Sequence, residues 1–153
     1  MYTLDDTDRR LLRLWQTAPD LSVADLASQA DLPPASCWRR IEKLEAAGII
    51  RARTIRVDPR ALGYAVDVSL RVTLDKTARD AFDTFLAAAR DIPEVNEIQT
   101  FLGRVDVRLN VIARDMTHYQ QIYRTQILSL PHIADIEALM HVADVKIART
   151  LPL

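Results

Sequence analysis

From Val66 onwards, segments with the apolar spacing of a strand and segments with the apolar spacing of a helix follow one another along the chain. Few chain topologies are compatible with the order of these segments. From Val66 to Leu74 every second residue is apolar, which is the pattern of a half-buried strand. Apolar residues then recur at helical spacing from Ala78 to Ala89, and Pro93 ends this helical segment. A strand followed by an amphipathic helix is therefore the first unit of this region.

Two more strands and a second helix follow along the chain. We predict strands at Val95–Leu102 and Val107–Ala113, a helix that begins after Asp115 and stops at Pro131, and a last strand from about Ile133 to Val145. The order β-α-β-β-α-β predicts a ferredoxin-like α/β sandwich with both helices on one face of the sheet.

The first sixty residues predict three helices and a strand. Asp5 and Ser22 are each followed three positions later by an aspartate, which is the spacing of helix N-terminal caps. Pro34 suits the first position of a third helix, and Gly48 suits the stop at its C-terminus. The segment Arg51–Val57 is predicted as a strand that begins the linker.

These patterns together predict an α+β protein. A helix-turn-helix, winged-helix-like domain would occupy residues 1–50, and a linker strand and turn would occupy residues 51–64. The βαββαβ domain would occupy residues 65–153 and would serve dimerisation and effector binding.

Positive charge is concentrated in one part of a chain whose net charge is only −1. Residues 33–60 contain seven basic and three acidic residues, whereas residues 1–32 contain three basic and six acidic residues. Binding to DNA phosphates requires a local positive patch rather than a positive protein. The third helix and the segment after it are therefore the candidate nucleic-acid surface.

The third helix divides into an apolar face and a basic face when successive side chains are rotated by about 100°. Cys37, Ile41 and Leu44 share the face that would pack on the first two helices. The alternative for the basic side chains is an ordinary solvated face, and Arg51 and Arg53 are equally well explained as edge-strand charges. The predicted DNA contacts are Ser36, Arg39, Arg40 and Lys43 on the helix, with Arg51 and Arg53 as flanking phosphate contacts.

Other chemistries find little support in the sequence. A single cysteine excludes an internal disulfide and a cysteine-rich zinc site, and the three histidines lack metal-ligand spacing. No glycine-rich phosphate loop, nucleophile elbow or carboxylate pair is present. We therefore expect no catalytic residue, metal or cofactor. With no signal peptide and no apolar run of about 20 residues, we expect a cytoplasmic protein that does not enter a membrane.

The segment Leu32–Ile50 resembles the recognition helix of the Lrp/AsnC family, the leucine-responsive or feast/famine regulators. The resemblance covers essentially the whole chain, and its specificity comes from the order of the motifs rather than from any one of them. The further motifs are Leu4-Asp5-x-x-Asp8, Asp58-Pro59, Leu62-Gly63, Gly103 with Asp106, Asp115-Met116 with Tyr119, Leu130-Pro131, and Val145-Lys146 with Leu151-Pro152-Leu153.

The resemblance implies a sequence-specific DNA-binding transcriptional regulator that responds to an amino acid. It further implies homodimers built through the C-terminal domain that assemble into tetramers or octamers. The effector would bind between C-terminal domains, near the turn after the second strand. By position, the effector-binding residues would be Leu102, Gly103, Arg104, Val105, Asp106, Ile136 and Ala138.

Several of these positions depart from the family pattern. Leu102 stands where a small hydroxyl residue is common, and Ile136 and Ala138 stand where Thr-x-Thr is frequent. These changes remove hydroxyl donors and add apolar surface, so we predict an apolar effector such as leucine or methionine. Asp106 would either hold the ammonium of the ligand or order the turn, and a plain hairpin connection remains the alternative for the whole turn.

Three alternative functions deserve comparison. Siroheme decarboxylases resemble this two-part architecture, but their His-Asn-Tyr-x-Arg stretch would fall where this chain has Glu94–Gln99. An RNA-recognition module shares the βαββαβ order, but it needs stacking aromatics that Val107–Ala113 lacks. A ligand-sensing oligomer that does not bind DNA is the third alternative.

Overall fold

The computed structural model describes residues 2–143, 145–146 and 150–153. The chain forms two compact units, one of Met1–Arg56 with Asp144–Leu153 and the other of Val57–Ala143. The structure groups the segment Asp144–Leu153 with the N-terminal residues. The first unit thus takes residues from both ends of the chain. The bounds of the second domain, which we predicted as residues 65–153, stay a prediction.

The N-terminal part of the first unit consists of three helices: α1 (Asp6–Thr17), α2 (Val23–Gln29) and α3 (Pro34–Ala46). The side chain of Asp5 accepts a hydrogen bond from the backbone N–H of Asp8, and the Asp8 carboxylate accepts one in return from the N–H of Asp5. Ser22 caps α2 through the N–H of Asp25. The three predicted helices and their caps are therefore present.

The three helices enclose one apolar core. Its fully buried members come from all three helices, which explains why none of these short helices needs to be stable alone. They include Leu11 of α1, Leu26 of α2, and Cys37, Ile41 and Leu44 of α3. Between α2 and α3, Asp31 adopts a left-handed backbone conformation (φ 52°), which aspartate tolerates better than most residues.

The linker differs from the prediction. Residues 51–57 are exposed and form no strand, and a 3₁₀ turn at Arg60–Leu62 follows them. A strand requires a neighbouring strand to complete its backbone hydrogen bonds, and no strand in the described part of the chain pairs with Arg51–Val57. The prediction of a linker strand was therefore wrong for the single chain.

The second unit contains a four-stranded antiparallel sheet and two helices. Its strands are β1 (Val66–Leu74), β2 (Val95–Thr100), β3 (Val107–Ala113) and β4 (Ile133–Met140), arranged in the order β2-β3-β1-β4. Helix α4 spans Ala81–Arg90, and helix α5 spans Met116–Ile122 and continues as one π-helical turn at Tyr123–Ile127. This arrangement confirms the predicted ferredoxin-like βαββαβ fold.

Two predicted strands were too long. Strand β2 ends at Thr100 rather than Leu102, and β4 ends at Met140 rather than Val145. Within the predicted extension of β4, Asp144 lies outside the described residues. Among the described residues, none of the helices has the length and apolar character that crossing a membrane requires.

The two faces of the sheet have different chemistry. On one face Val68, Leu70 and Val72 of β1 are buried and pack with Phe85 of α4 and Ile122 of α5. The alternate residues of the strands form the other face, where two ion pairs join neighbouring strands. These pairs are Arg71 with Glu137 (3.5 Å) and Arg108 with Glu97 (3.0 Å).

Candidate nucleic-acid interface and ligand site

Helix α3 separates its apolar and basic side chains as the helical wheel predicts. Cys37, Ile41 and Leu44 are fully buried against the other two helices. Arg39 and Lys43 are exposed on a different side of the helix. The apolar face therefore anchors α3, and the two cations remain accessible to a large polyanion.

The four predicted DNA contacts of α3 lie together. Ser36, Arg39, Arg40 and Lys43 line one shallow depression of about 360 Å³. The opposite wall is formed by the start of the chain and of α1, with the side chains of Tyr2, Thr3, Asp5 and Asp8. The structure thus adds an acidic wall that helix periodicity alone does not predict.

Arg40 differs from the other three because its charge is already paired. Its Nη1 atom lies 2.7 Å from Oδ2 of Asp5 and 2.6 Å from Oδ1 of Asp8. The hydrogen bonds with Asp5 and Asp8 raise the pKa of Arg40 above its usual value. The backbone N–H of Asp8 and then the Arg40 guanidinium lower the pKa of Asp5.

The remaining oxygen of Asp8 is also satisfied. Its Oδ2 accepts hydrogen bonds from the hydroxyl of Tyr2 (2.9 Å) and from the N–H of Asp5 (3.2 Å). The side chain of Asp8 is only 1% exposed, so this carboxylate depends on its protein partners rather than on water. Tyr2, Asp5, Asp8 and Arg40 therefore form one closed network, which we call the Asp8 network.

The two flanking arginines lie in the extended segment after α3 and not on a strand. Arg51 is exposed. The guanidinium of Arg53 lies 4.1 Å from the ring centroid of Trp15, and its Nη2 lies 3.5 Å from Oε1 of Glu45. Arg53 is therefore held against the three-helix unit by a cation–π contact, with more than half of its side chain still exposed.

The last residues of the chain also contact α1. The Nε of Arg13 donates a hydrogen bond to the carbonyl oxygen of Leu153 (2.8 Å), and the N–H of Leu151 donates one to Oε1 of Gln16 (2.7 Å). Leu153 packs against the core of the three-helix unit. Sequence patterning does not reveal this contact, because its partners are 135 to 140 positions apart.

The predicted effector turn follows β2. Leu102, Gly103 and Arg104 are exposed, and Val105 is half-buried. Asp106 lies at the end of the turn, and it is buried although it is a charged residue. The turn therefore presents an apolar side chain and open backbone to its surroundings.

Asp106 makes the contacts of a residue that orders this turn. Its Oδ2 accepts a hydrogen bond from the backbone N–H of Leu74 (2.9 Å), and its Oδ1 lies 2.7 Å from Nζ of Lys76. Lys76 and then the Leu74 N–H lower the pKa of Asp106. Both carboxylate oxygens of Asp106 are therefore already engaged by protein groups.

Ile136 and Ala138 lie on β4, at the edge of the sheet. In the strand register, Val72 of β1 lies between Val107 of β3 and Ile136 of β4. Neighbouring strands are about 4.8 Å apart, so Ile136 is roughly 10 Å from the end of the turn. Ile136 packs on the core, whereas Ala138 is exposed.

Replacing Asp106 by alanine is expected to lower the stability of the Val57–Ala143 unit by about 1–3 kcal/mol, because the buried Leu74 N–H would lose its acceptor. Asp106→Asn keeps an oxygen for this N–H and loses only the pair with the exposed Lys76, so its cost should be below about 1 kcal/mol. Hydrogen exchange of β1 amides, read by mass spectrometry against urea, measures the difference. Equal losses in the two variants would contradict this account.

The same carboxylate gives a pH dependence. Because folding lowers the pKa of Asp106, its stabilisation is present above the unfolded pKa of about 4 and is lost as the pH falls through the lower folded pKa. Between about pH 4 and pH 2 the wild-type unit should therefore lose more stability than the Asp106→Asn variant.

Family models assign the two parts of the chain to a DNA-binding domain and a ligand-binding domain, and transcriptional regulators are among its sequence relatives. Residues 4–45 match the AsnC-type helix-turn-helix domain, and residues 67–151 match the Lrp/AsnC ligand binding domain. The glutamate uptake regulatory protein of Zymomonas mobilis is 30% identical over 98% of this chain and 91% of its own. The DNA-binding transcriptional activator DecR of Escherichia coli K12 is 27% identical over 98% of this chain and 99% of its own.

Two solved structures have a fold that is similar to that of this chain over nearly its whole length. The Neisseria meningitidis transcriptional regulator NMB0573, described as a complex with L-Met, has a TM-score of 0.89 and 29% identity, with 98% and 97% of the two chains covered. Escherichia coli AsnC has a TM-score of 0.86 and 29% identity, with 98% and 99% covered.

A helix-turn-helix unit with an exposed basic helix, joined to a ligand-binding α/β unit, defines a DNA-binding transcriptional regulator. The chain belongs to the Lrp/AsnC family of such regulators, whose effectors are amino acids. The family predicted from the sequence is therefore confirmed, and these matches favour the regulator over the decarboxylase-like and DNA-independent alternatives.

Proposed function

We propose that this chain acts as a homodimer that binds specific DNA through α3 and is regulated by an apolar amino acid. It acts by binding alone, without catalysis, in the cytoplasm where its DNA target lies. The observation that carries the proposal is the division of α3 into a fully buried apolar face and an exposed side with Arg39 and Lys43.

Each side chain of the exposed side suits one kind of DNA contact. Arg39 has a forked set of donors that fits a guanine edge or a phosphate, and Lys43 is a point charge for phosphate. Ser36 is a short donor at the start of the helix. Arg51 and Arg53 follow α3 and serve as flanking phosphate contacts.

The dimer places two copies of α3 on one duplex. A homodimer reads two half-sites about one helical turn apart, roughly 34 Å, or a multiple of this distance. We propose that the Val57–Ala143 units form the dimer contact and that dimers assemble further into tetramers or octamers. The support is the family relationship together with the exposed apolar side chains of Val57 and Leu62, which a partner chain would cover.

The effector site lies between C-terminal units and combines apolar groups of the turn and of β4 with the charged Arg104 and Asp106. Leu102 is fully exposed at the turn, and Ala138 is exposed on β4. No hydroxyl stands at these positions to bind a polar side chain, and the Neisseria relative is described as a complex with L-Met. Leucine or methionine therefore fits this site better than asparagine or lysine. The remaining lining residues are Gly103, Arg104, Val105, Asp106 and Ile136.

The effector proposal is tested by calorimetric titration of the full chain with leucine, methionine, asparagine, lysine and glutamate. We expect binding of leucine or methionine, and at least tenfold weaker binding by Ala138→Thr, which introduces a hydroxyl into the apolar site. Ser129→Thr, a substitution at an exposed position outside the proposed site, is the control. Tight binding of a charged amino acid and none of leucine would refute the proposal.

The DNA proposal is tested by selecting duplexes from a random library with the purified chain, with and without leucine. The selected sequences should be pseudo-palindromic, with half-sites spaced by about 10 base pairs or a multiple. A library that yields no enriched sequence under either condition would argue for the DNA-independent alternative.

A further inference from the structure

We propose that Arg40 is a positioning residue that sets the orientation of α3, and that it does not contact DNA itself. Its guanidinium ties the middle of α3 to the capped start of α1 and so determines where Arg39 and Lys43 stand. The inference rests on the proposed function in one respect, namely that α3 is the DNA-reading helix.

The burial of Asp8 argues against a DNA contact by Arg40. The Asp8 carboxylate is 1% exposed, and the Arg40 guanidinium is the cation paired with it. Both bonds, to Asp5 and to Asp8, are made by Nη1, and a turn of the guanidinium that moved Nη1 to a phosphate would leave a buried carboxylate without its counter-ion, which is among the most costly changes in a protein interior. The Arg40 side chain is itself 28% exposed, so the network lies at the rim of the depression, close to where DNA would approach.

The contacts of Arg40 are directional, unlike those of the core. Ile41 and Leu44 hold α3 by apolar burial, which tolerates small rotations of the helix. The charge-assisted hydrogen bonds to Asp5 and Asp8, at 2.7 and 2.6 Å, hold one point of α3 in a fixed direction. A small rotation of the helix about its axis would break these bonds, so they select one rotational setting.

The same contacts determine which groups of the depression attract phosphate. Asp5 and Asp8 together carry one negative charge more than Arg40 neutralises. The wall on the α1 side therefore repels phosphate, and attraction remains with Arg39 and Lys43 on α3. The Asp8 network thus favours approach of the duplex from the side of α3.

Variants of Asp5 and Asp8 distinguish the two possible roles of Arg40, because the change in DNA affinity is expected to have opposite signs for a phosphate contact and for a positioning residue. If Arg40 contacted phosphate, replacing a competing carboxylate would release it and strengthen DNA binding. If Arg40 positions α3, the same replacement weakens binding. Asp5→Asn is the mild variant, because asparagine caps a helix as well as aspartate does. Asp6→Asn is the matched control, because Asp6 is exposed in the first turn of α1 and outside the network.

The experiment measures binding to one duplex selected from a random library by the wild-type chain, at 50 to 200 mM KCl. We expect Asp8→Asn to bind about tenfold more weakly than Asp6→Asn, and Asp5→Asn about threefold more weakly. Arg40→Gln should bind about tenfold more weakly than the wild type with an unchanged salt slope. Arg39→Gln, in contrast, should lower the slope by about 0.9 for each phosphate that Arg39 neutralises.

Other outcomes distinguish a failure of the positioning role of Arg40 from a failure of the proposed function of α3. A salt slope reduced in Arg40→Gln as much as in Arg39→Gln would overturn the positioning role, and so would Asp5→Asn binding at least as tightly as Asp6→Asn. If Arg39→Gln binds with wild-type affinity and slope, α3 is not the DNA-reading helix and the proposed function itself fails. Tryptophan fluorescence checks that each variant is folded, and Asp5→Asn keeps the test valid if Asp8→Asn unfolds.

Discussion

Replacing Arg39 and Lys43 together by alanine should weaken specific DNA binding by the proposed dimer about a thousandfold. The substitutions remove four cationic side chains from the dimer, each worth about 1 kcal/mol, and every 1.4 kcal/mol corresponds to a factor of ten. The slope of log affinity against log salt should fall by about 3.6, since each neutralised phosphate contributes about 0.9. Fluorescence anisotropy with the library-selected duplex at several salt concentrations measures both quantities.

The control for this prediction removes the same charge elsewhere in the unit. Arg9 and Arg10 are exposed on α1, so Arg9→Ala with Arg10→Ala lowers the net charge equally without changing α3. This control should lose less than tenfold. Equal losses in the two double variants would mean that total charge, and not the basic side of α3, determines binding.

The second large effect concerns the anchoring of α3. Ile41 is fully buried against α1 and α2, and truncation of such a side chain to alanine costs about 2–5 kcal/mol. A domain of about 60 residues has only about 3–9 kcal/mol of total stability. Ile41→Ala should therefore lower the melting temperature of this unit by about 8–40 °C and abolish DNA binding above the lowered melting temperature.

Fluorescence reports on this unit selectively, because both tryptophans, Trp15 and Trp38, belong to it. Ile41→Val is the matched control and should cost only about 1 kcal/mol. Circular dichroism should show the Val57–Ala143 unit still folded after the first unit has melted. DNA binding that disappears while the tryptophan signal remains native would mean that Ile41 acts on DNA recognition and not through stability.

Most of the fold is predictable because its elements carry strong local signals. The alternation in β1 and β3 corresponds to strands with one fully buried face, and the spacing in α1 and α3 corresponds to helices with one buried face. Caps at Asp5 and Ser22 mark helix starts through contacts only three residues long. These signals are local, so they can be read without knowledge of the rest of the molecule.

The features that residue spacing does not predict share the opposite property. The segment Arg51–Val57 was predicted as a strand with Arg51 and Arg53 on one face, but a strand also needs a partner, which residue spacing does not supply. The helical wheel places Arg40 on the basic side of α3 correctly, but its partners Asp5 and Asp8 are 32 to 35 positions away on another helix. The same distance in sequence hides the bond of Asp106 to the N–H of Leu74, 32 positions away.

Because Asp144–Leu153 groups with Met1–Arg56, the Val57–Ala143 unit is flanked in sequence on both sides by residues of the first unit. Exchanging sensory modules between such regulators therefore requires two junctions, near positions 57 and 143, and a chimera joined at the first alone would inherit a foreign tail. In such a chimera, Arg13 and Gln16 of α1 would have to accept that tail in place of Leu153 and Leu151.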